Sequence, residues 1–196
     1  MREQIKQEIK RWNQEHLKEK RQRHVDAVAV LARELAELYG VDPDKAEFAA
    51  LCHDMFRNES IELLNEYIEK GNFSKTCLNS SNLAHGKAAA YELEHRYGIT
   101  DADILNAVSY HTTGRAGMSN LEKIVYLADA TEPGRNYPGV QRLRSLMKKD
   151  LDRACLRSLS RTINYVTERG QFLDPDTLAA RNDLLRKIKS RKEKKG

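Results

Sequence analysis

Long apolar runs are missing from this 196-residue sequence. The longest near its start, residues 27–32, is far too short to span a bilayer, and no basic start followed by an apolar stretch marks a signal peptide. No membrane partner is expected. Cysteine is scarce and odd in number: Cys52, Cys77 and Cys155 lack the paired spacing of a thiolate zinc site. The expectation is a reduced, cytoplasmic protein. An excess of one charge sign is also missing from most of the chain. Residues 181–196 hold eight basic and two acidic side chains, which leaves 26 basic against 27 acidic in residues 1–180 and accounts for the formal +5. With no aromatics interleaved there, the basic end reads as a solvated tail, and nucleic acid is not an expected partner. Also absent are a Gly-x-x-x-x-Gly-Lys phosphate loop, a His-Glu-x-x-His helix and a Gly-x-Ser-x-Gly elbow, so kinase, zincin and serine hydrolase readings have no starting point.

No segment alternates with period 2, whereas helical spacing recurs along the whole chain, and the fold class is all-α. With 40% hydrophobic residues the chain can bury one sizeable core, and one domain is expected. Ile5 and Ile9 give residues 2–11 a thin apolar stripe. A long helix is expected over residues 15–39, with Val28, Leu31, Leu35 and Leu38 on its inner face and Gly40 closing it. Asp42 and Pro43 open a short apolar helix that ends in His53-Asp54. Asn58 is the expected cap of the next helix, Ser80 or Ser81 of the one over residues 82–97, and Thr100 of the one leading to His111. Ser119 with Glu122 forms a capping box for residues 120–131. Further helices are expected at 140–148, 151–168 and 177–189.

The polar residues on inner faces carry the chemistry. His53 follows Ala49 and Ala46 by four and seven residues, and Asp54 follows Ala50 by four, so both belong near the buried side of their helix. A buried imidazole beside a buried carboxylate is costly unless something pairs with both. A lone His-Asp dipeptide is usually a core histidine bonded to its neighbour, and only distant partners change that reading. Here they exist. His24 lies four residues before Val28, His85 aligns with Ala89 and Leu93, Asp129 shares a face with Leu121 and Val125, and His111 ends an apolar helix. Imidazole and carboxylate together suit zinc, iron, manganese or nickel. His16 and His95 fall in charged or exposed segments and are assigned to the surface.

The order His24, His53-Asp54, Asp129 resembles the HD-domain superfamily of metal-dependent phosphohydrolases. The longer words Asn82-Leu83-Ala84-His85-Gly86-Lys87, His111-Thr112-Thr113-Gly114-Arg115, Leu127-Ala128-Asp129, Glu132-Pro133-Gly134-Arg135 and Ala180-Arg181-Asn182 resemble its YqeK-type branch, the symmetrical bis(5′-nucleosyl)-tetraphosphatases. The resemblance spans roughly residues 20–187 and implies a single-domain HD helical bundle. The chain then divides into an amphipathic helix at 1–14, the hydrolase domain at 15–189 and a basic tail at 190–196. It implies cleavage of diadenosine tetraphosphate into two ADP. His24, His53, Asp54 and Asp129 would hold a divalent or trivalent transition metal, iron first and manganese as the alternative. His85 and His111 would either complete a second site with Asp54 bridging or contact phosphate, so one or two ions are implied, and Asp54, His85 and His111 form the catalytic set. A nucleotide is the implied partner. Arg57, Lys87, Arg115 and Arg135 are the candidate cations for its phosphates, with His85, His111 and Thr112 beside them. Tyr137 and Phe172 are the candidate walls of a base pocket. Two other classes stay open: an HD-fold di-iron oxygenase and a non-catalytic nucleotide-sensing module. No oligomeric state is read from the sequence.

Overall fold

The computed structural model describes residues 2–193, and every regular element among them is a helix. In order these are α1 (Arg2–His16), α2 (Glu19–Tyr39), α3 (Pro43–Cys52), α4 (Ile61–Lys70), α5 (Ser81–His95), α6 (Ala102–Ser109), α7 (Asn120–Thr131), α8 (Val140–Met147), α9 (Leu151–Glu168) and α10 (Pro175–Glu193). One 3₁₀ turn, Lys75–Cys77, precedes α5. The all-α expectation holds. Among the described residues no helix is long and apolar enough to cross a membrane.

The bundle is set up by α2 and α3, which form an antiparallel pair. Gly40 sits at φ 64°, where a side chain would be strained, and its N–H donates to the Ala36 carbonyl, so α2 stops sharply. Two residues later the Asp42 carboxylate accepts from the Asp44 and Lys45 amides at 2.9 and 3.2 Å, with Pro43 in the first turn, and starts α3. α2 also packs on α7, α3 on α6 and α7, and α5 on α6. These five helices enclose the polar cluster described below, and α8, α9 and α10 back them through α7 and α9.

Several local expectations differ from the structure. The boundary between the first two helices falls later than expected: α1 runs on to His16 and Lys18 is extended before α2, and the break lets α1 cross α3, burying Ile9 and Leu17 in the common core. Trp12 and Asn13 on α1 donate to the Met55 and Leu51 carbonyls, so α1 braces the chain around His53. Leu38 is 54% exposed, because the buried stripe of α2 runs through Leu35 and Ala36 to Tyr39, whose hydroxyl donates to the Met147 carbonyl at 2.6 Å. Ser60 rather than Asn58 caps α4, and Asp101 rather than Thr100 caps α6; each is the extended residue with its side chain aimed at the first turn. The capping box on α7 forms as expected. The C-terminal helix continues past residue 189 to Glu193; the rest of the expected basic tail, residues 194–196, lies outside the described residues.

Candidate metal centre

Three histidines reach the centre with the same orientation. His53 Nδ1 donates to the Ala50 carbonyl at 2.6 Å, His85 Nδ1 to Ser81 at 2.7 Å and His111 Nδ1 to Val108 at 2.7 Å. A carbonyl can only accept, so each ring carries its proton on Nδ1 and turns an Nε2 lone pair inward. All three rings are buried. His85 and His111 Nε2 lie 3.0 Å apart, two lone pairs facing each other across a gap that only a cation relieves. They come this close because residue 86 is glycine. A Cβ there would stand 2.7 Å from the Val108 carbonyl oxygen and 2.9 Å from the His111 ring.

Asp54 joins two halves of the site. Its Oδ2 lies 3.2 Å from His53 Nε2 and 3.7 Å from His24 Nε2, whereas its Oδ1 lies 3.1 Å from His85 Nε2 and 3.9 Å from His111 Nε2. Asp129, delivered by α7, adds an oxygen 3.1 Å from His24 Nε2. His24 is turned by Glu132, a buried carboxylate 3.2 Å from its Nδ1. That contact fixes the tautomer and ring plane as a carboxylate behind a ligating histidine does.

The donor set is arranged for a cation. His24 and His53 Nε2 are buried with no hydrogen-bond partner among the described residues. One ligand atom from each of His24, His53 and Asp129, and likewise from His53, Asp54 and His111, lies within 4.8 Å of the others. Burial opposes ionisation of Asp54, but His53 and His85 outweigh it and hold its carboxyl well below the usual range; Asp129 is held low against burial by His24, His53 and Arg135. Burial also opposes protonation of His53, yet the charge of Asp54 beside it raises its pKa. His111 is pushed down to about 3 by burial and by His85 and His53, and so stays neutral. Ionised carboxylates, inward-turned Nε2 atoms and orphaned lone pairs fit a divalent metal ion.

An arginine rim surrounds this centre. Arg57 donates to Asn82 Oδ1 at 2.7 Å and lies 3.5 Å from His85 Nδ1, so it stands on the Oδ1 side of Asp54. Arg135 grips Asp129 from the other side, Nε on the backbone carbonyl at 2.8 Å and Nη2 on Oδ1. Arg21 reaches Asp54 Oδ2 at 2.8 Å. The sequence reading gave Arg21 no role and quoted Glu132 only within the word Glu132-Pro133-Gly134-Arg135. Arg21 precedes His24 by three residues and so shares its helix face, and Glu132, which caps the end of α7, follows Asp129 by three.

The remaining candidates are dispersed. Thr112 Oγ1 is 3.2 Å from His111 Nε2 and joins the centre. Arg115 is committed to Glu122 through a two-pronged pair at 2.7 and 2.8 Å. Lys87 is buried with its ammonium 3.2 Å above the Tyr110 ring; burial pushes it down to about 8, and its carboxylate neighbours are Asp176 and Asp174 rather than those of the centre. Tyr137 donates to the Ala130 carbonyl at 2.8 Å, beside the end of α7. Phe172 is 62% exposed and does not line the groove beside Tyr137. Arg181 bonds the Asn182 side chain on α10. His95 is exposed and stacks on Tyr91; His16 stacks on Trp12 and pairs with Glu59 at the surface.

Comparison with known proteins gives a consistent picture. The HD domain family matches residues 21–134. A protein of Halalkalibacterium halodurans named symmetrical bis(5′-nucleosyl)-tetraphosphatase is 42% identical over 172 residues, 87% of this chain and 91% of that one. A Bacillus subtilis protein of the same name is 37% identical over 172 residues, 87% of this chain and 92% of its own length. A crystal structure from Clostridium acetobutylicum, described as a "predicted HD superfamily hydrolase involved in NAD metabolism", superposes with a TM-score of 0.88 at 38% identity, covering 92% of this chain and 97% of that chain.

Proposed function

This chain belongs to the HD domain family, and we propose that it is a metal-dependent phosphohydrolase that cleaves dinucleoside tetraphosphates symmetrically, turning diadenosine tetraphosphate and water into two ADP. The carrying observation is Asp54, with one oxygen toward His24 and His53 and the other toward His85 and His111, beneath Arg21, Arg57 and Arg135. Paired donor sets under a cationic rim suit an anionic, phosphorus-centred substrate. We assign one ion to His24, His53, Asp54 and Asp129. His85 and His111, with Asp54 between, either hold a second ion or contact phosphate directly. We take iron as the metal and manganese as the alternative, both supported by the nitrogen and oxygen donor set. Bound there, the metal supplies Lewis acidity to a phosphoryl oxygen and acidifies water.

The chain's own residues do the rest. Arg57 and Arg135, on opposite sides of the Asp54 carboxylate, hold the polyphosphate on both sides of the scissile bond. Asp129 keeps its position under Arg135, whose Nη1 has no partner among the described residues and faces substrate. His85, His111 and Thr112 converge on one spot and act on whatever occupies it. Water attacks the phosphorus second from one nucleoside, the bond to the central bridging oxygen breaks, and that oxygen leaves on the second ADP. The hydrolase unit is assigned to residues 15–189, with α1 as a brace and residues after 189 as an appendage. Free, buried Cys52, Cys77 and Cys155 support placing the protein in the cytoplasm.

The test is chromatographic separation of early products from diadenosine tetraphosphate. Two ADP, lost on chelation and restored by iron or manganese, is the expected result. AMP with ATP in equal amounts overturns the symmetrical assignment, and oxygen uptake with substrate present favours the oxygenase class.

A further inference from the structure

Symmetrical cleavage places a geometric demand on the site. The scissile bond lies between two nucleoside diphosphates, so the two nucleosides must leave the centre in different directions, each separated from that bond by about two phosphates. One path leads past Arg57 along the start of α5. The other leads past Arg135, and there the loop of residues 132–139 has two faces: Arg135 grips Asp129, while Tyr137 lines a separate groove of about 420 Å³ against α9. That volume falls in the ~300–1,000 Å³ range of small-molecule sites.

The groove is built of the right chemistry. Arg157, Arg161, Asn164 and Tyr165 line it from α9, with Glu168 at its far end. The Arg161 guanidinium carbon lies over the Tyr137 ring, 3.8 Å from its centroid, and the hydrogen bond from Tyr137 to Ala130 fixes that ring beside the end of α7. Neither Arg157 nor Arg161 has a carboxylate within ion-pair distance among the described residues, whereas Arg21, Arg33, Arg115 and Arg135 all do. Tyr165 is 47% exposed, an aromatic face open to solvent at the groove wall. Two unpaired guanidinium groups beside an aromatic stack are the recognition chemistry of a nucleoside 5′-phosphate.

We propose that this groove is the subsite for the second nucleoside 5′-phosphate of the substrate, Arg157 and Arg161 taking its phosphate and the Tyr137–Arg161 stack with Tyr165 taking its base. This rests on the dinucleotide reading above. Tyr137, expected to share one wall of a base pocket with Phe172, has Arg161 as its partner instead.

The experiment compares wild type with Arg157→Ala, Arg161→Ala and the double variant, all in the metal-loaded full chain. Both arginines are exposed, and unchanged far-UV circular dichroism checks the fold. For diadenosine tetraphosphate, each single change raises KM by about tenfold, the loss of one charge-assisted phosphate contact, with kcat changed less than about twofold. Calorimetric titration with ADP finds two sites per chain in wild type and one in the double variant. An unchanged KM in the double variant, two ADP sites surviving there, or a single ADP site in wild type overturns the proposal. Wild-type protein that cleaves no dinucleotide overturns the reading beneath it, and that outcome is separate because it needs no variant.

Discussion

Asp54 shows why single residues decide this site. A carboxylate buried among four imidazoles is tolerable only if positive charge is shared among them, and Arg21 supplies some of it from outside at 2.8 Å. Asp54→Ala should abolish hydrolysis and leave helicity near wild type, whereas His95→Ala, an exposed change, should leave kcat/KM within about twofold. Full turnover by Asp54→Ala in metal-depleted buffer would sink the metal reading. Glu132 acts through His24 and is a positioning residue. Glu132→Gln keeps the shape but removes the charge behind Nδ1, so metal affinity should fall by about 10- to 100-fold, read by competition with a chromophoric chelator. Unchanged affinity would leave Glu132 a role in the Gly134 turn only. The sequence carried a spacing signal for both helpers: Arg21 is in register with His24, and Glu132 at the end of α7 follows Asp129 by three, but neither spacing says which ligand the side chain meets.

At the level of helices, the decisive contact is between α5 and the end of α6. Glycine inside a helix ordinarily costs about 0.5–1 kcal/mol relative to alanine, so Gly86→Ala would stabilise α5 if packing were indifferent. It is not. The added methyl would meet the Val108 carbonyl oxygen at 2.7 Å and the His111 ring at 2.9 Å, and backbone cannot yield as a flexible side chain does. The expected outcome is a lower Tm and a loss of activity of about 100-fold or more, as His85 and His111 move apart. A rise in Tm with full activity would refute the contact. Most helices could be read from the chain because apolar spacing and Gly, Asp and Ser punctuation agree, as at Gly40, Asp42 and Ser119. The errors fell where local signals compete. Thr100 and Asp101 are adjacent capping residues, and the break at Lys18 depends on α1 packing across α3, a tertiary effect invisible in a charged segment. The cations were legible as residues but not as neighbours: Arg115 and Lys87 stand close in sequence to ligands yet turn toward Glu122 and Tyr110.

Across the whole molecule, the charges of the basic end meet a buried carboxylate of the interior. Asp152, buried at the start of α9, pairs with Lys123 of α7 at 2.7 Å and, on its other oxygen, with Lys187 at 3.4 Å and Arg191 at 2.6 Å of α10. Magnitudes separate these partners. Lys187 and Arg191 are 44% and 53% exposed, so each contributes about 1 kcal/mol or less, and truncation after Lys189 should lower Tm by only a few degrees and leave kcat intact. Lys123 is 2% exposed, with Asn120 as its only other hydrogen-bond partner among the described residues. Asp152→Ala therefore strands a buried charge and should cost about 3–5 kcal/mol, on the order of 10 °C in Tm. pH gives an independent check. Burial opposes ionisation of Asp152, but the hydrogen bond and charge of Lys123, with Lys187 and Arg191, hold its carboxyl below the usual 3.8. A depressed folded-state pKa contributes stability that is fully present above 3.8 and is lost as pH falls through the folded value. The gap in unfolding free energy between wild type and Asp152→Ala, measured by urea denaturation, should thus be constant from pH 7 down to about 5 and shrink below 3.8. A gap that stays constant to pH 2.5 would mean that Asp152 holds α7, α9 and α10 together by packing rather than by charge.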